Sequence, residues 1–488
     1  MDNAVKINAA DNVAVATAGL DKSSIYFDVV LKENVLKGHK FALVNIKKGD
    51  DVIKYGSSIG KATVNIAAGE NVHTHNLKTN LDENLEYKYV KKTPAKFVLP
   101  KRIPTVNVYE RKNGEIGIRN EIWVVPTVGC VNTQARLIAE AFNAKHKKSE
   151  VDGIFAFGHS YGCSQMGGDH EFTKKILQNI VLHPNAGGVL VLGLGCENNQ
   201  IDAFREGLGA YDKNRIMFLN AQDTEDEIEE GVKTLEKIYA VARKDKRVSK
   251  SISVLKVGLK CGGSDGLSGI TANPLLGVFS DYLTACGGAT VLTEIPEMFG
   301  AEHLLMERAA DVRIFNKIVE LINGFKDYYR KNEQTVYENP SPGNKAGGIS
   351  TLEDKSLGCV QKGGTSEITD VLFDGDVVTV SGLNLLNGPG NDMIAVTNLG
   401  AAGCHLVLFT TGRGTPLGGF IPTVKISTND GLAARKNNWI DFNAGNGLDD
   451  VNLNKLIEFV VAAASGKQVK NEVNGSREIA IFKSGVTL

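Results

Sequence analysis

A chain of 488 residues with 42% hydrophobic and 23% charged residues is long enough for roughly two to four domains and has the composition of a folded globular protein, which excludes a disordered or fibrous one. With 55 Lys and Arg against 56 Asp and Glu, it has no net field to hold a nucleic acid or an anionic membrane surface. No run of about 18 apolar residues occurs and the first six residues lack a basic-then-apolar pattern, so we expect a cytoplasmic protein with no membrane partner.

From residue 5 to about 77 the chain alternates short β-like runs (24–30, 40–46, 62–66) with Gly and Asn, which predicts a small β-rich domain over 1–90. It closes on His73-Thr74-His75. Residues 91–107 carry Pro94, Pro100 and Pro104 and read as a linker. From Gly117 onward the rhythm becomes apolar strand, glycine turn, helix. Strands are predicted at 123–128, 154–157, 188–192 and 254–259, with helices over 133–146 and 227–243 between them. Such alternation predicts an α/β fold with largely parallel sheets, and the long apolar runs suit strands buried on both faces. We divide it into an α/β domain over 108–330 and a C-terminal α/β domain over 331–488, the latter opening on the loop-rich stretch from 339 to 348 and repeating the strand-to-glycine pattern at 405–414.

Four cysteines, Cys130, Cys163, Cys196 and Cys261, each follow a predicted strand. In open α/β sheets the crevice outside the carboxyl ends of the strands is where ligands bind, so these thiols are placed to meet there. The first three are spaced 33 residues apart, which is one strand-helix unit and so reflects architecture rather than chemistry. Packing of a small apolar residue is the competing reading for each. The seven cysteines include no Cys-x-x-Cys pair and read as reduced thiols. Cys163 stands out because His159, Ser160 and Gln165 surround it in one turn, a cluster able to ligate a metal or handle protons.

In an extended segment His73 and His75 project from one face and form a pincer for a divalent metal, the competing reading being two surface histidines on a hairpin. Gly262-Gly263-Ser264-Asp265 offers backbone N–H groups, a hydroxyl and a carboxylate, a nest of the type that holds oxyanions. Arg413, on a glycine-rich loop after a strand, can clamp a carboxylate with two hydrogen bonds or serve a structural ion pair. Arg119 and Asn120 precede the first α/β strand and are candidates to face ligand, with Lys345 and Lys355 as further ones. Neither Gly-x-Gly-x-x-Gly nor the phosphate-loop pattern is present, so a nucleotide site is not indicated.

Taken together, residues 117–121, 126–132, 159–165, 193–199, 261–274, 293–302, 339–348, 351–359 and 411–423 resemble the altronate and galactarate dehydratases, and the β-rich start resembles that family's SAF module. The resemblance runs to the closing residues 482–488. It implies a hydro-lyase of hexuronate catabolism that converts D-altronate to 2-dehydro-3-deoxy-D-gluconate and water, with Fe(II), or Mn(II) second, as cofactor and galactarate as the rival substrate. Under it we expect His73, His75 and Cys163 to hold metal, and His159, Cys163, His75 and Asp265 to act at the reacting centre. Arg119, Asn120, Gly262, Gly263, Ser264, Lys345 and Arg413 are expected to bind the sugar acid. A second enzyme class is an iron-sulfur dehydratase with three of Cys130, Cys163, Cys196 and Cys261 as ligands. A sugar-acid sensor is the non-enzymatic alternative, and no helix-turn-helix, basic patch or coiled coil supplies its output. Oligomeric state is left open, a homo-oligomer included.

Overall fold

The computed structural model describes residues 2–81, 86–93, 97–99, 103–445, 447–485 and 487–488, so Pro94 and Pro100 of the expected linker lie outside the described residues. From Ala4–Val5 to Leu77–Lys78 the chain forms a four-stranded and a three-stranded antiparallel sheet with a two-stranded ribbon, the β-rich domain expected from its alternation. This domain is fastened to the rest of the molecule by buried charge. Asp354, in the helix Leu352–Cys359, accepts from Lys40 Nζ and Lys54 Nζ, each at 2.9 Å, and all three side chains are nearly inaccessible. Burial alone would raise the Asp354 pKa, but the two ammonium groups outweigh it and hold it far below the usual carboxylate range.

Two parallel sheets follow. The smaller has the spatial order Ile154–Ala156, Glu121–Pro126, Ala186–Gly193, Ile216–Asn220. Its central strand is buried at every position, the burial expected of a strand covered by helices on both faces. The larger has seven strands, all parallel: Ile368–Leu372, Gly382–Leu386, Ala289–Leu292, Lys256–Cys261, Leu406–Thr411, Thr423–Ser427 and Phe442–Asn443. The division expected after residue 330 therefore falls inside this sheet, which already begins at Lys256. The long excursion through the helix Val312–Lys331 and the loop to Ile368 leaves the sheet and returns to it, which hid the continuity. Between the sheets runs a three-stranded antiparallel ribbon in which Thr105–Glu110 pairs with Arg247–Ser251. No helix among the described residues is long and apolar enough to cross a membrane.

Candidate active site

A cavity of about 780 Å³ opens where the carboxyl ends of the large-sheet strands face the small sheet. Gly262 and Gly263 follow Lys256–Cys261, Pro296 and Glu297 follow Ala289–Leu292, and Asn391 and Asp392 follow Gly382–Leu386. Tyr161 enters from the small sheet, while Asn339, Ser341, Asn344 and Lys355 complete the wall. This is the crevice that parallel α/β sheets use for ligands. Gly262 must be a glycine, since a Cβ there would lie 2.6 Å from both the Asp392 carboxylate and the Phe409 ring. A second cavity, of about 390 Å³, lies at the opposite edge beside Pro184 and Arg215, where Arg111 and Arg215 are already bonded to Asp245.

Behind Glu297 sits a buried cluster of acids, thiols and lysines. Cys261 Sγ lies 3.5 Å from Cys359 Sγ, and Glu297 Oε2 accepts from them at 3.4 and 3.2 Å. Lys362 Nζ donates to Cys261 Sγ at 2.8 Å and to Glu294 at 3.4 Å. Lys260 pairs with Glu294 and, at 2.8 Å, with Asp392. Lys355 Nζ donates to Glu297 Oε1 at 2.8 Å, to Asn339 Oδ1 at 3.0 Å and to Asn344 Oδ1 at 3.3 Å.

These neighbours push the titrating groups apart. The Cys359 thiol hydrogen-bonds to Cys261 and, against burial and with help from Lys362, brings the Cys261 pKa down to about 6. Burial, then the charges of Cys261 and Glu297, push Glu294 up to about 8. Burial works against ionisation of Glu297 too, but Lys355, Lys260 and Lys362 outweigh it and take it to about 2. Three ammonium groups, Lys260, Lys355 and Lys362, thus stand among the acidic groups of Glu294, Glu297, Asp392 and Cys261, with the Glu297 carboxyl pushed down and the Glu294 carboxyl pushed up. Separated values in one site are how a protein assigns acid and base roles.

Among the described residues, Cys261, Glu297 and Cys359 are the group whose ligand atoms lie within 4.8 Å of one another in the manner a single ion needs. Two thiols and a carboxylate suit Fe(II) or Zn(II) by donor type. The charge does not suit them: a dication here would enter a site that three lysines already neutralise, with Lys362 occupying Cys261 at 2.8 Å.

The expected pincer does not form either. His73 to Asn76 is a turn, closed by Asn76 N–H and Leu77 N–H donating to His73 O at 3.0 and 2.9 Å, so the two imidazoles are not on one face of a strand. His75 is exposed. His73 Nε2 instead meets Lys345 O at 2.8 Å, and its ring lies 5.0 Å from that of His39. Burial lowers the pKa of both His39 and His73. His73, His75 and Cys163 do not gather into a ligand set.

The other expected residues divide cleanly. Gly262 and Gly263 line the cavity. Ser264 gives its carbonyl to Asn344 Nδ2 at 2.8 Å and so positions a cavity-wall residue. Arg413 is exposed, 3.4 Å from Gly343 O beside Ser341 and Asn344. Asp265 is consumed by Ser268, Thr428 and the Leu267 N–H, and Lys345 contributes its carbonyl to His73 while its side chain is exposed. Arg119 and Asn120 are structural: Arg119 forms a buried bidentate pair with Glu472 at 2.7 and 2.8 Å, and Asn120 bonds Arg111 and Ala242 O. Their place before the strand puts them at its amino end, away from the crevice. His159 is buried, with Nε2 on Pro126 O at 2.8 Å and Nδ1 accepting from Tyr161 N–H at 3.1 Å, so both ring nitrogens are committed to backbone. Cys130, Cys163 and Cys196 end the small sheet and are exposed, while Cys261 ends the large one and is buried.

Comparison with known proteins covers nearly the whole chain. The SAF domain model of altronate/galactarate dehydratases matches residues 2–80, the second-domain model of D-galactarate dehydratase/altronate hydrolase matches 108–243, and the C-terminal model of D-galactarate/altronate dehydratase matches 252–487. The chain is 55% identical over 495 residues to the altronate dehydratase of Escherichia coli (strain K12), covering 99% of each. The chain belongs to the altronate/galactarate dehydratase family. It is also 53% identical over 500 residues to the altronate dehydratase of Bacillus subtilis (strain 168), covering 100% of each chain. Identity to the galactarate dehydratase (L-threo-forming) of Escherichia coli (strain K12) is 31% over 496 residues, 95% of this chain and 93% of that one. Family membership makes this chain a dehydratase of sugar acids. The fold agrees with the family's domain order, since the SAF match ends near Leu77–Lys78 and the C-terminal match begins just before Lys256–Cys261.

Sequence reasoning passed over Glu294, Glu297, Cys359, Lys260, Lys362 and His39. A signal was present for the first two: Glu294 and Glu297 flank Ile295-Pro296 directly after an apolar run, at a strand's carboxyl end. Cys359 lies within a helix, where spacing offers no comparable sign.

Proposed function

We propose that this chain dehydrates D-altronate to 2-dehydro-3-deoxy-D-gluconate and water. The observation that carries the choice of substrate is the number of cations in the cavity: among the described residues that line it, Lys355 is the one cation, set beside the carboxyl groups of Glu297 and Asp392. One ammonium suits an acid with a single carboxylate and a terminal hydroxymethyl group. Galactarate has a carboxylate at each end and would leave one without a partner, a costly mismatch in a built polar site. The two full-length relatives above 50% identity bear the altronate name, which supports the same choice.

The elimination removes a proton from C2, breaks the C3–O bond and delivers one proton to the departing hydroxyl so that it leaves as water, giving an enol that becomes the 2-keto acid when C3 is protonated and the enol proton is lost. Lys355 takes the substrate carboxylate, where its charge stabilises the enediolate that builds up. Turning toward substrate, it loosens from Glu297 at 2.8 Å, and Glu297 loses the cation that most depresses its pKa. Its basicity rises when the C2 proton must be taken. Asn339, Ser341, Asn344 and Asn391 supply neutral hydrogen bonds for sugar hydroxyls. The single-ion metal set expected from the sequence is not used in this reading.

Anaerobic incubation with D-altronate, following the 2-keto product with a carbonyl-specific reagent, tests it. Product from the native chain and its loss in Glu297→Gln are expected. Product at an undiminished rate in that variant would remove Glu297 from the chemistry.

A further inference from the structure

Cys130, Cys163 and Cys196 are all exposed, whereas Cys261, Cys359 and Cys404 are buried. Free cysteine is among the residue types most often buried, so three exposed thiols at the carboxyl ends of three adjacent parallel strands are poorly explained by packing. The strand order places the Cys130 loop in the middle, with the Cys163 loop on one side and the Cys196 loop on the other.

Each loop is bonded to both of the others. The first and second are joined by Gly129 N–H to Tyr161 O at 2.8 Å, Asn132 Nδ2 to His159 O at 2.7 Å and His159 Nε2 to Pro126 O at 2.8 Å. The first and third meet through Thr127 Oγ1 to Glu197 Oε1 at 2.7 Å and Asn199 Nδ2 to Thr127 O at 3.0 Å. Asn199 N–H to Gly162 O at 3.0 Å and Ser164 N–H to Asn198 Oδ1 at 2.9 Å join the second and third. Thr127, His159, Glu197 and Asn199 are all at least nine-tenths buried. Cys163 stands between Gly162, at φ 99°, and Ser164, a non-glycine residue held at φ 59°, and Gly195 beside Cys196 has φ 126°. Gly162 cannot carry a side chain, because a Cβ would lie 2.0 Å from Thr127 O. Left-handed backbone maintained by a buried polar network beside exposed thiols is the pattern of a site whose ligands are set in advance.

The three sulfurs are not all within 4.8 Å of one another. A single ion with metal–sulfur bonds of about 2.3 Å needs its thiolates within roughly 4.6 Å, so these thiols are spread too widely for one metal. A polynuclear group spans more.

We propose that Cys130, Cys163 and Cys196 hold an iron–sulfur cluster, which three thiolates would leave with one iron open to an outside ligand. Tyr161, two residues before Cys163, lines the cavity that Glu297 and Lys355 also line, so the Cys163 loop borders it. An open iron supplies a Lewis acid for substrate oxygens. That role rests on the hydro-lyase reading above, and the site does not.

The full chain, purified without oxygen and reconstituted with ferrous iron and sulfide, would be assayed for iron, acid-labile sulfide, visible absorption and the paramagnetic signal after one-electron reduction. Expected is a brown protein with comparable amounts of iron and labile sulfide. Cys130→Ser, Cys163→Ser and Cys196→Ser, each folded by circular dichroism, should each lower sulfide content and colour at least several-fold, while Cys286→Ser keeps both. Iron without labile sulfide, no uptake of either, or a cluster surviving all three substitutions would overturn the proposal. A chain that takes up the cluster but leaves D-altronate unchanged would uphold it and remove the substrate reading instead.

Discussion

Replacing Lys355 by Met removes the cavity's cation while keeping a side chain of similar length. In the native protein Lys355 is 7% exposed and spends its three donors on Glu297, Asn339 and Asn344. Loss of one partner from a buried, hydrogen-bonded charge pair costs about 2–5 kcal/mol. If the same ammonium binds the substrate carboxylate, that range translates at about 1.4 kcal/mol per tenfold into a roughly 30- to 3,000-fold fall in kcat/KM for D-altronate. The variant also changes pH behaviour. Glu297 has a folded pKa of about 2 against an ordinary 4.5, so its ionisation stabilises the fold above pH 4.5 and that contribution disappears as pH falls toward 2. Without Lys355 the Glu297 pKa rises, the acid limb of the kcat/KM profile moves to higher pH, and the variant's stability deficit narrows below pH 4.5. Steady-state kinetics from pH 4 to 8 and thermal midpoints over the same range measure both. Native-like kcat/KM with an unmoved acid limb would refute the role given to Lys355.

Arg119→Met should destabilise by about 3 kcal/mol, because it leaves the buried Glu472 with the longer Arg477 pair at 3.3 Å as its remaining cation, yet leave KM for the folded enzyme unchanged; denaturant unfolding alongside kinetics separates the two. Asp354→Asn leaves Lys40 and Lys54 buried without a counter-charge and should cost about 3–5 kcal/mol. Replacing all three by apolar residues of like size should recover most of that loss in the same unfolding assay. Gly262→Ala pushes a methyl group toward Asp392 and Phe409 and should cost about 1–3 kcal/mol of stability and lower kcat, which a thermal scan and initial rates would show.

Much of the architecture was legible because it is written in periodicity. Buried apolar runs ending in glycine marked three of the four strands of the smaller parallel sheet and two of the seven in the larger, and the alternating N-terminal segment marked the β-rich domain. The seven-stranded sheet was cut in two on paper because nothing local shows that Ile368–Leu372 joins strands laid down more than 70 residues earlier. The candidate site was legible only in part. Strand-end position pointed to Gly262, Gly263 and the cysteines. Arg119 and Asn120 looked similar in sequence but stand at the amino end of their strand. His73 and His75 were judged by a period that holds for strands, whereas the chain turns there. Lys260, Glu294, Cys359 and Lys362 become a unit only when strand, loop and helix are brought together, and no spacing announces such a meeting.

Selectivity between two sugar acids tests the central claim most directly. With the reconstituted chain under anaerobic conditions, kcat/KM for D-altronate should exceed that for galactarate by on the order of 100-fold, as a cavity with one cation requires. Equal efficiency, or a preference for galactarate, would contradict the assignment of Lys355 as the sole carboxylate partner and with it the substrate proposed.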